Sequence, residues 1–448
     1  MLGLVAYFLH SYPFLRYTRH MYIAILGRQP ALGVAELECL YGAAAVRWFG
    51  AQAAVITSDI FDFERLGGSQ KAGRVVLELR GNWLAVSRQI VRHYSAQWQG
   101  APHKITLGIS AYGFSATARE VQKTGLILKT KLRATGTSLR LIPNAAPALN
   151  TATSHHNKLG RSPHHIELLV VRAQDGRVIV AESVGAQNIS ALAARDQARP
   201  RTDAFVGMLP PKLARMMVNM AGPLVQPSST TEHSAPRPVL LDPFCGSGTL
   251  VIEAAQMLCD CAPGLDRHFG IDQLRIHDGA LFGSLHEQLR KRARTGMQQT
   301  PRGLIRASDL DPNAVRLTAE NLKTLEFPDG LVHLETADAA DIRPDGAAAA
   351  PASQPDSQSS HPDSQSSQPA PRGIIVANPP YNERVSIPIE HWRAIGATLR
   401  HHFGGWHVYL LTSDRGLPGQ LGLRESRKTP LFNGAIECRL FEFTMRTR

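Results

Sequence analysis

The second half of the chain predicts an α/β fold, a doubly wound parallel sheet with helices on its faces, and the first half predicts smaller α+β units ahead of it. From Pro238 a strand–turn–helix pattern repeats, through VLLDPFCGSGTLVIEAAQML, LIRASDLDPNAVRLTAENLKTL, VHLETADAADI and GIIVANPPY. Alternation of this kind lays strands in parallel and helices across them. Before it, strands alternate with single helices and close in a hairpin signal at Asp175-Gly176, the strongest in the chain.

In order, residues 1–20 read as an extension without a charged leader, broken at His10 and Pro13, and are expected to be poorly structured. Residues 21–82 form a first α+β unit: YIAILG as a strand, GVAELECLYG as a short helix ended by Gly42, then AAVIT and RVVLELR as strands. Residues 83–188 form a second. KITLGISAYG is a strand, EVQKTGLILKTKLRATG a basic helix capped by Gly136, SLRLIP a short strand, and IELLVVRAQDGRVIVAESVG the hairpin. A linker spans 189–236. Pro210-Pro211 opens a helix whose apolar face is LARMMVNMA, and Gln226 to Pro236 is a polar loop. The sheet domain takes 237–448 and is interrupted at 344–371 by an Ala/Pro/Ser/Gln tract carrying PDSQSS twice. That tract has no large apolar residue to bury and is expected to be disordered. HVYLLTS and GAIECRLFEF supply late strands.

The chain is long enough for two or three domains, and no apolar run is long enough to span a bilayer. Its five cysteines follow no disulfide framework, and Cys259 and Cys261 form C-x-C, not the paired C-x-x-C of a zinc site. A reducing cytoplasm is the expected compartment. The adjacent histidine pairs lack helical metal spacing, so no metal is expected. The formal net charge is +12, and Arg88 to Arg215 alone carry 18 Lys/Arg against 6 Asp/Glu. The basic surface therefore belongs to one middle segment, the footprint of a nucleic-acid-binding module or of a merely solubilising face.

Chemistry enters at the first strand–helix turn, Asp242-Pro243-Phe244-Cys245-Gly246-Ser247-Gly248-Thr249. Gly246 and Gly248 allow close backbone approach, the helix N-terminus favours a carboxylate, and Asp242 can pair with an ammonium. A zwitterionic methionine moiety needs all three. The absence of GxGxxG and GxxxxGK[ST] counts against a dinucleotide or a triphosphate. Asp309, ending the second strand, can accept from ribose hydroxyls. Asp311 is its rival there, or a cap for the helix beginning at Pro312. Asp338, after the third strand, can reach an adenine amino group. Cys245 reads as a small packing residue.

Asn378-Pro379-Pro380-Tyr381 follow the apolar strand Ile374 to Ala377, which sets them at the carboxyl edge of the sheet. Either this is a Pro-Pro turn, or it is a clamp for an exocyclic amine. An aromatic amine is a poor nucleophile because its lone pair is delocalised. Accepting both N–H bonds, at the Asn378 side-chain oxygen and the Pro379 carbonyl, sharpens the nitrogen and aims it. The prolines fix φ and remove competing donors, and Tyr381 can stack on an extruded base. Paired with DPFCGSGT in this order, the clamp reading prevails, with S-adenosylmethionine as methyl donor.

At these segments the chain resembles the THUMP-domain methyltransferases, most closely the tRNA guanine-10 N2-methyltransferases. YIAILGRQPALGVAELECL, LNTATSHHNKLG, RDQARPRTDAFVGMLPPKLARMMVNMA, DPFCGSGTL, ASDLDP, NPPYNER and FNGAIECRL carry the likeness. It implies a Rossmann-like methyltransferase domain preceded by α+β ferredoxin-like and THUMP domains. It also implies cofactor contacts at Asp242, Phe244, Cys245, Gly246, Gly248, Thr249, Asp309 and Asp338, and base contacts at Asn378 to Tyr381. RNA contact falls to Lys123, Lys129, Lys131 and Arg133 on the basic helix, whose lysines equally suit a solvated face, and to Lys158. The expected activity is methylation of guanosine N2 in tRNA, at guanosine 10. The alternatives are large-subunit rRNA, whose guanine-N2 methyltransferases share NPPY, adenine N6 in DNA, and a silent RNA-binding protein.

Overall fold

A computed structural model describes residues 21–187, 209–221, 239–261, 279–344, 373–380 and 387–447. The expected extension, the loop 226–236, Tyr381 and the insert beyond Pro344 lie outside the described residues. The chain divides into two compact units, Met1–Ser190 and Ala191–Arg448.

The elements of the first unit are β1 (Met21–Leu26), α1 (Pro30–Tyr41), β2 (Val46–Trp48), β3 (Ala53–Thr57), β4 (Ser69–Arg80), α2 (Trp83–Gln97), β5 (Ile105–Tyr112), α3 (Ala118–Ala134), β6 (Leu139–Leu141), α4 (Thr151–His156), β7 (His165–Arg172) and β8 (Arg177–Ala186). Among the described residues they build one eight-stranded sheet in the order β2-β3-β1-β4-β8-β7-β5-β6. The division expected near residue 82 therefore falls inside a single sheet. The reason is β4, which runs for 12 residues and pairs with β1 along one edge and β8 along the other.

Alternation in β1 sends Ala24 and Leu26 to the side covered by α1, where they meet Val34, Leu37 and Leu40. Ile23 and Ile25 go to the opposite core with Val55 and Val171. The helices α2 and α3 cover β5, β7 and β8 through Val86, Ile90, Tyr94, Leu128 and Leu132. Helix α3 opens with a capping box. The Thr117 N–H donates to Glu120 Oε2 at 2.7 Å, and the Glu120 N–H donates back to Thr117 Oγ1 at 3.3 Å.

The second unit contains α5 (Pro211–Met220), β9 (Leu240–Asp242), α6 (Thr249–Leu258), α7 (Gly279–Gln299), β10 (Ile305–Asp309), α8 (Pro312–Thr324), β11 (Val332–Thr336), β12 (Ile374–Ala377), α9 (Ile389–His402), β13 (His407–Thr412), α10 (Leu417–Leu421), β14 (Arg427–Asn433) and β15 (Ile436–Thr444). Among the described residues its sheet has seven strands in the order β11-β10-β9-β12-β13-β15-β14. The strands β9 to β13 are parallel, while β15 runs antiparallel between β13 and β14. The expected doubly wound sheet is present. One face packs Ile375, Ala377, Val408, Leu410 and Phe441 against Trp392, Ile395 and Leu399 of α9. Helix α5 lies on α6, and a buried Arg215–Glu253 ion pair at 3.1 Å joins them.

After β9 the chain builds β10 and β11 on one side and then crosses back to place β12 on the other. That reversal is a topological switch point, and ligands of such sheets bind there, at the carboxyl ends of the strands.

Candidate functional site

Four adjacent strands deliver the predicted residues to that edge: β9 ends on Asp242, β10 on Asp309, β11 precedes Asp338, and β12 precedes Asn378. Ile374 and Ile375 pair with Leu240 and Leu241, so the Gly-rich turn and the Asn-Pro-Pro turn leave neighbouring strands side by side.

The Gly-rich turn depends on backbone conformations that suit glycine, with φ of 53° at Gly246 and 83° at Gly248. Helix α8 braces it from outside. Thr318 Oγ1 donates to the Gly246 carbonyl at 2.8 Å, and Asn321 Nδ2 donates to the Ser247 carbonyl at 3.0 Å. A Cβ on Gly248 would stand 2.8 Å from Thr318 Cγ2. Gly248→Ala is therefore expected to cost at least ~1–2 kcal/mol from the left-handed backbone alone. Calorimetry should show the second unit melting at least ~2–4 °C lower.

Asp242 is 1% exposed and accepts the Phe244 N–H at 3.1 Å, and among the described residues no cation pairs with it. Burial, with the Asp309 carboxylate adding to it, pushes its carboxyl up to about 8 against the opposing Phe244 bond. The folded value lies above the ordinary 3.8, so stability from the neutral carboxyl is full below about pH 4 and lost as pH rises through about 8. Asp242→Asn should remove that loss. Without added ligand, its thermal melts should exceed the wild type's near pH 8 and match them near pH 4.

Asp309 accepts the Gly246 N–H at 3.0 Å on one oxygen and the Asp311 N–H at 3.0 Å on the other. Burial raises its carboxyl, partly offset by these bonds. Asp311 instead caps α8, accepting the Asn313 N–H at 2.9 Å. Cys245 is buried, and burial with the two nearby carboxylates raises its thiol far above the usual range, which leaves it without thiolate character. Phe244 is half-buried against Trp392, centroids 6.1 Å apart, and Thr249 opens α6. Asp338 accepts the Ala340 N–H at 2.8 Å, and its Oδ1 lies 3.0 Å from Nε2 of His391. On the Asn-Pro-Pro turn Asn378 and Pro380 are half-buried and Pro379 buried. Among the described residues the Asn378 Oδ1 is buried with no hydrogen-bond partner.

Sequence reading missed Thr318, Asn321, His391 and Leu310. Leu310 is 66% exposed although apolar, and its place between Asp309 and Asp311 is the signal in the sequence that could have found it. In the first unit Lys123, Lys129, Lys131 and Arg133 are exposed on α3 around half-exposed Leu126 and Ile127. Lys158 sits on a different element, the turn after α4, with φ of 57°. Among the described residues no cluster has the makings of a metal site, no helix is long and apolar enough to cross a membrane, and none of the five cysteines is in a disulfide.

Residues 199–350 match the family described as RMKL-like, methyltransferase domain. The chain is 38% identical over 210 residues to the ribosomal RNA large subunit methyltransferase K/L of Methylococcus capsulatus, covering 46% of this chain and 24% of that protein. It is 33% identical over 239 residues to the enzyme of the same name from Allochromatium vinosum, covering 52% and 29%. The chain thus spans less than a third of the length of these relatives. A solved structure of a possible methylase from Clostridium difficile shares the fold, with a TM-score of 0.50 at 16% identity over 96% of this chain and 99% of that one. The second unit has the Rossmann-like fold of methyltransferases that use S-adenosylmethionine.

Proposed function

We propose that this chain methylates an exocyclic amino group of a base in RNA. Guanine N2 is the group implied by the sequence resemblance, and large-subunit ribosomal RNA is the target favoured by the relatives' name. The observation that carries the reading is Asn378, a buried amide oxygen with no partner among the described residues, set beside the glycine turn at the switch point. A buried acceptor left unpaired costs about 1–3 kcal/mol, a cost that a substrate N–H offsets on arrival.

Three further features fit S-adenosylmethionine. Asp242 is a buried carboxyl awaiting a cation, and an ammonium beside it would draw it into the charged form. The N-terminus of α6 faces the same turn and suits a carboxylate. Leu310 is an exposed apolar side chain next to Asp309, suited to lie against an adenine ring while Asp309 accepts from ribose hydroxyls. Asp338, already bonded to His391, is the acceptor for the adenine amino group. Phe244, Cys245, Gly246, Gly248 and Thr249 shape the floor. When bound, the cofactor supplies an electrophilic methyl group.

The chain's own residues prepare the other reactant. Asn378 Oδ1 and the Pro379 carbonyl accept the two N–H bonds of the amine, which shifts electron density onto the nitrogen and fixes its approach. Pro380 limits the loop's freedom, and Tyr381 stacks on the base. Lys123, Lys129, Lys131, Arg133 and Lys158 hold the RNA backbone.

The test is incubation with methyl-labelled S-adenosylmethionine and, separately, large-subunit rRNA, tRNA transcripts and duplex DNA, followed by digestion to nucleosides. N2-methylguanosine from rRNA is expected. The same nucleoside from tRNA alone would move the target to the tRNA enzymes that the first unit's segments resemble. N6-methyladenine from DNA would overturn the reading.

A further inference from the structure

The β14–β15 hairpin at the sheet's edge rises past the same carboxyl edge as the clamp. Thr412, the last residue of β13, pairs with Arg439, and the hairpin continues through Phe432↔Glu437 and Asn433↔Ile436. Those pairs lie two and three residues further on, about 7–10 Å above the end of β13. The edge strand buries Thr429, Leu431 and Asn433 and exposes Lys428, Pro430 and Phe432. Pairing puts Arg439, its side chain 17% exposed, opposite Pro430 and Glu437 opposite Phe432, on the face that further along β15 packs Phe441 against α9. Phe432 is 53% exposed there, and Ile436 beside the turn is 37% exposed. Glu437 Oε1 accepts from Arg439 at 3.0 Å and from Arg415, just beyond β13, at 3.1 Å. One carboxylate thus orients two guanidinium groups and neutralises only one of them.

We infer that the exposed part of this face, built from Lys428, Pro430 and Phe432 with Arg439 and Arg415 at its rim, docks the single-stranded RNA adjoining the target nucleotide, with Phe432 stacking on a neighbouring base. The inference rests on the RNA methyltransferase reading and extends it to a second contact with the same strand. An exposed aromatic among fixed cations is what unpaired nucleic acid needs: a π-face for a base and positive charge for its phosphates. β14 lies three strands from β12, about 14 Å away, within a few nucleotides of the amine that Asn378 receives. Pro430 also suits this role, since it denies the edge strand a donor and discourages pairing with another sheet.

The experiment cross-links the full chain to 4-thiouridine-substituted fragments of large-subunit rRNA and maps adducts by tryptic mass spectrometry, alongside RNA steady-state kinetics. An adduct on peptide 429–439 is expected in the wild type and should be lost in Phe432→Ala. That variant should show KM for RNA raised roughly tenfold, a typical loss of one stacked base, with kcat and the melting temperature unchanged. Phe432→Trp should restore both readouts. Adducts confined to other peptides, together with an unchanged KM in Phe432→Ala, would overturn the surface while leaving the methylation reading intact. Failure of that reading appears separately, as the absence of methylated nucleosides from wild-type reactions, and cross-linking reports on the surface in either case.

Discussion

Replacing Asn378 with alanine is expected to lower kcat by about 10²–10³-fold, the usual loss when one preorganised polar contact to the reacting group is removed. Affinity for S-adenosylmethionine and for RNA should stay within about twofold, because the clamp works on the amine and not on either ligand's anchoring. Stability supplies an independent readout. A structural asparagine that loses its side chain strands its partners, but Oδ1 here is buried with none among the described residues. Its removal takes away an unsatisfied acceptor, so the melting temperature should hold or rise. Asn378→Asp keeps the acceptor and adds charge, so it should recover part of the rate at alkaline pH without reaching the wild type. A variant that melts early yet turns over normally would assign Asn378 to the loop's architecture and remove it from the chemistry.

The site was legible in sequence where one short segment carried both the strand and the turn. Asp242 to Thr249 and Asn378 to Pro380 stand at the ends of β9 and β12, because an apolar strand running into glycine or proline leaves little choice of edge. Residues that act from another element were not legible. Thr318 and Asn321 are buried on α8, where a threonine and an asparagine look like ordinary helix polar positions, and only packing against the turn shows that they bond its carbonyls. His391 is paired with Asp338 across some fifty intervening residues. Helix α2 was legible although the sequence reading does not include it, since Trp83, Val86, Ile90, Val91 and Tyr94 recur at helical spacing behind the Asn82 cap. Strand β14 was passed over because only Thr429, Leu431 and Asn433 face inward and a proline interrupts them. The single sheet of the first unit was hidden for a related reason, since backbone pairing between β4 and β8 leaves no local trace.

The largest loss of stability is expected from Lys71→Met in the first unit, where two ionised groups lie in the core. Lys71 on β4 is 1% exposed and Glu167 on β7 is fully buried. Lys71 Nζ donates to Glu167 Oε1 and to the Leu149 carbonyl, the latter at 2.7 Å. Ser110 Oγ donates to the same carboxylate oxygen at 2.6 Å and receives the Leu149 N–H at 2.9 Å. Burial lowers the Lys71 ammonium from its ordinary value, with the Glu167 charge resisting. Removing the lysine alone strands a carboxylate away from water, which costs about 3–5 kcal/mol. Hydrogen exchange in the full chain should then show β4, β5 and β7 amides opening together, with β9 to β13 little affected. Lys71→Met combined with Glu167→Leu removes both charges and should restore most of the loss, because a buried pair contributes little over well-packed apolar groups of similar volume. If the double variant were no more stable than the single, the cost would lie in packing around Leu149 and not in the stranded charge.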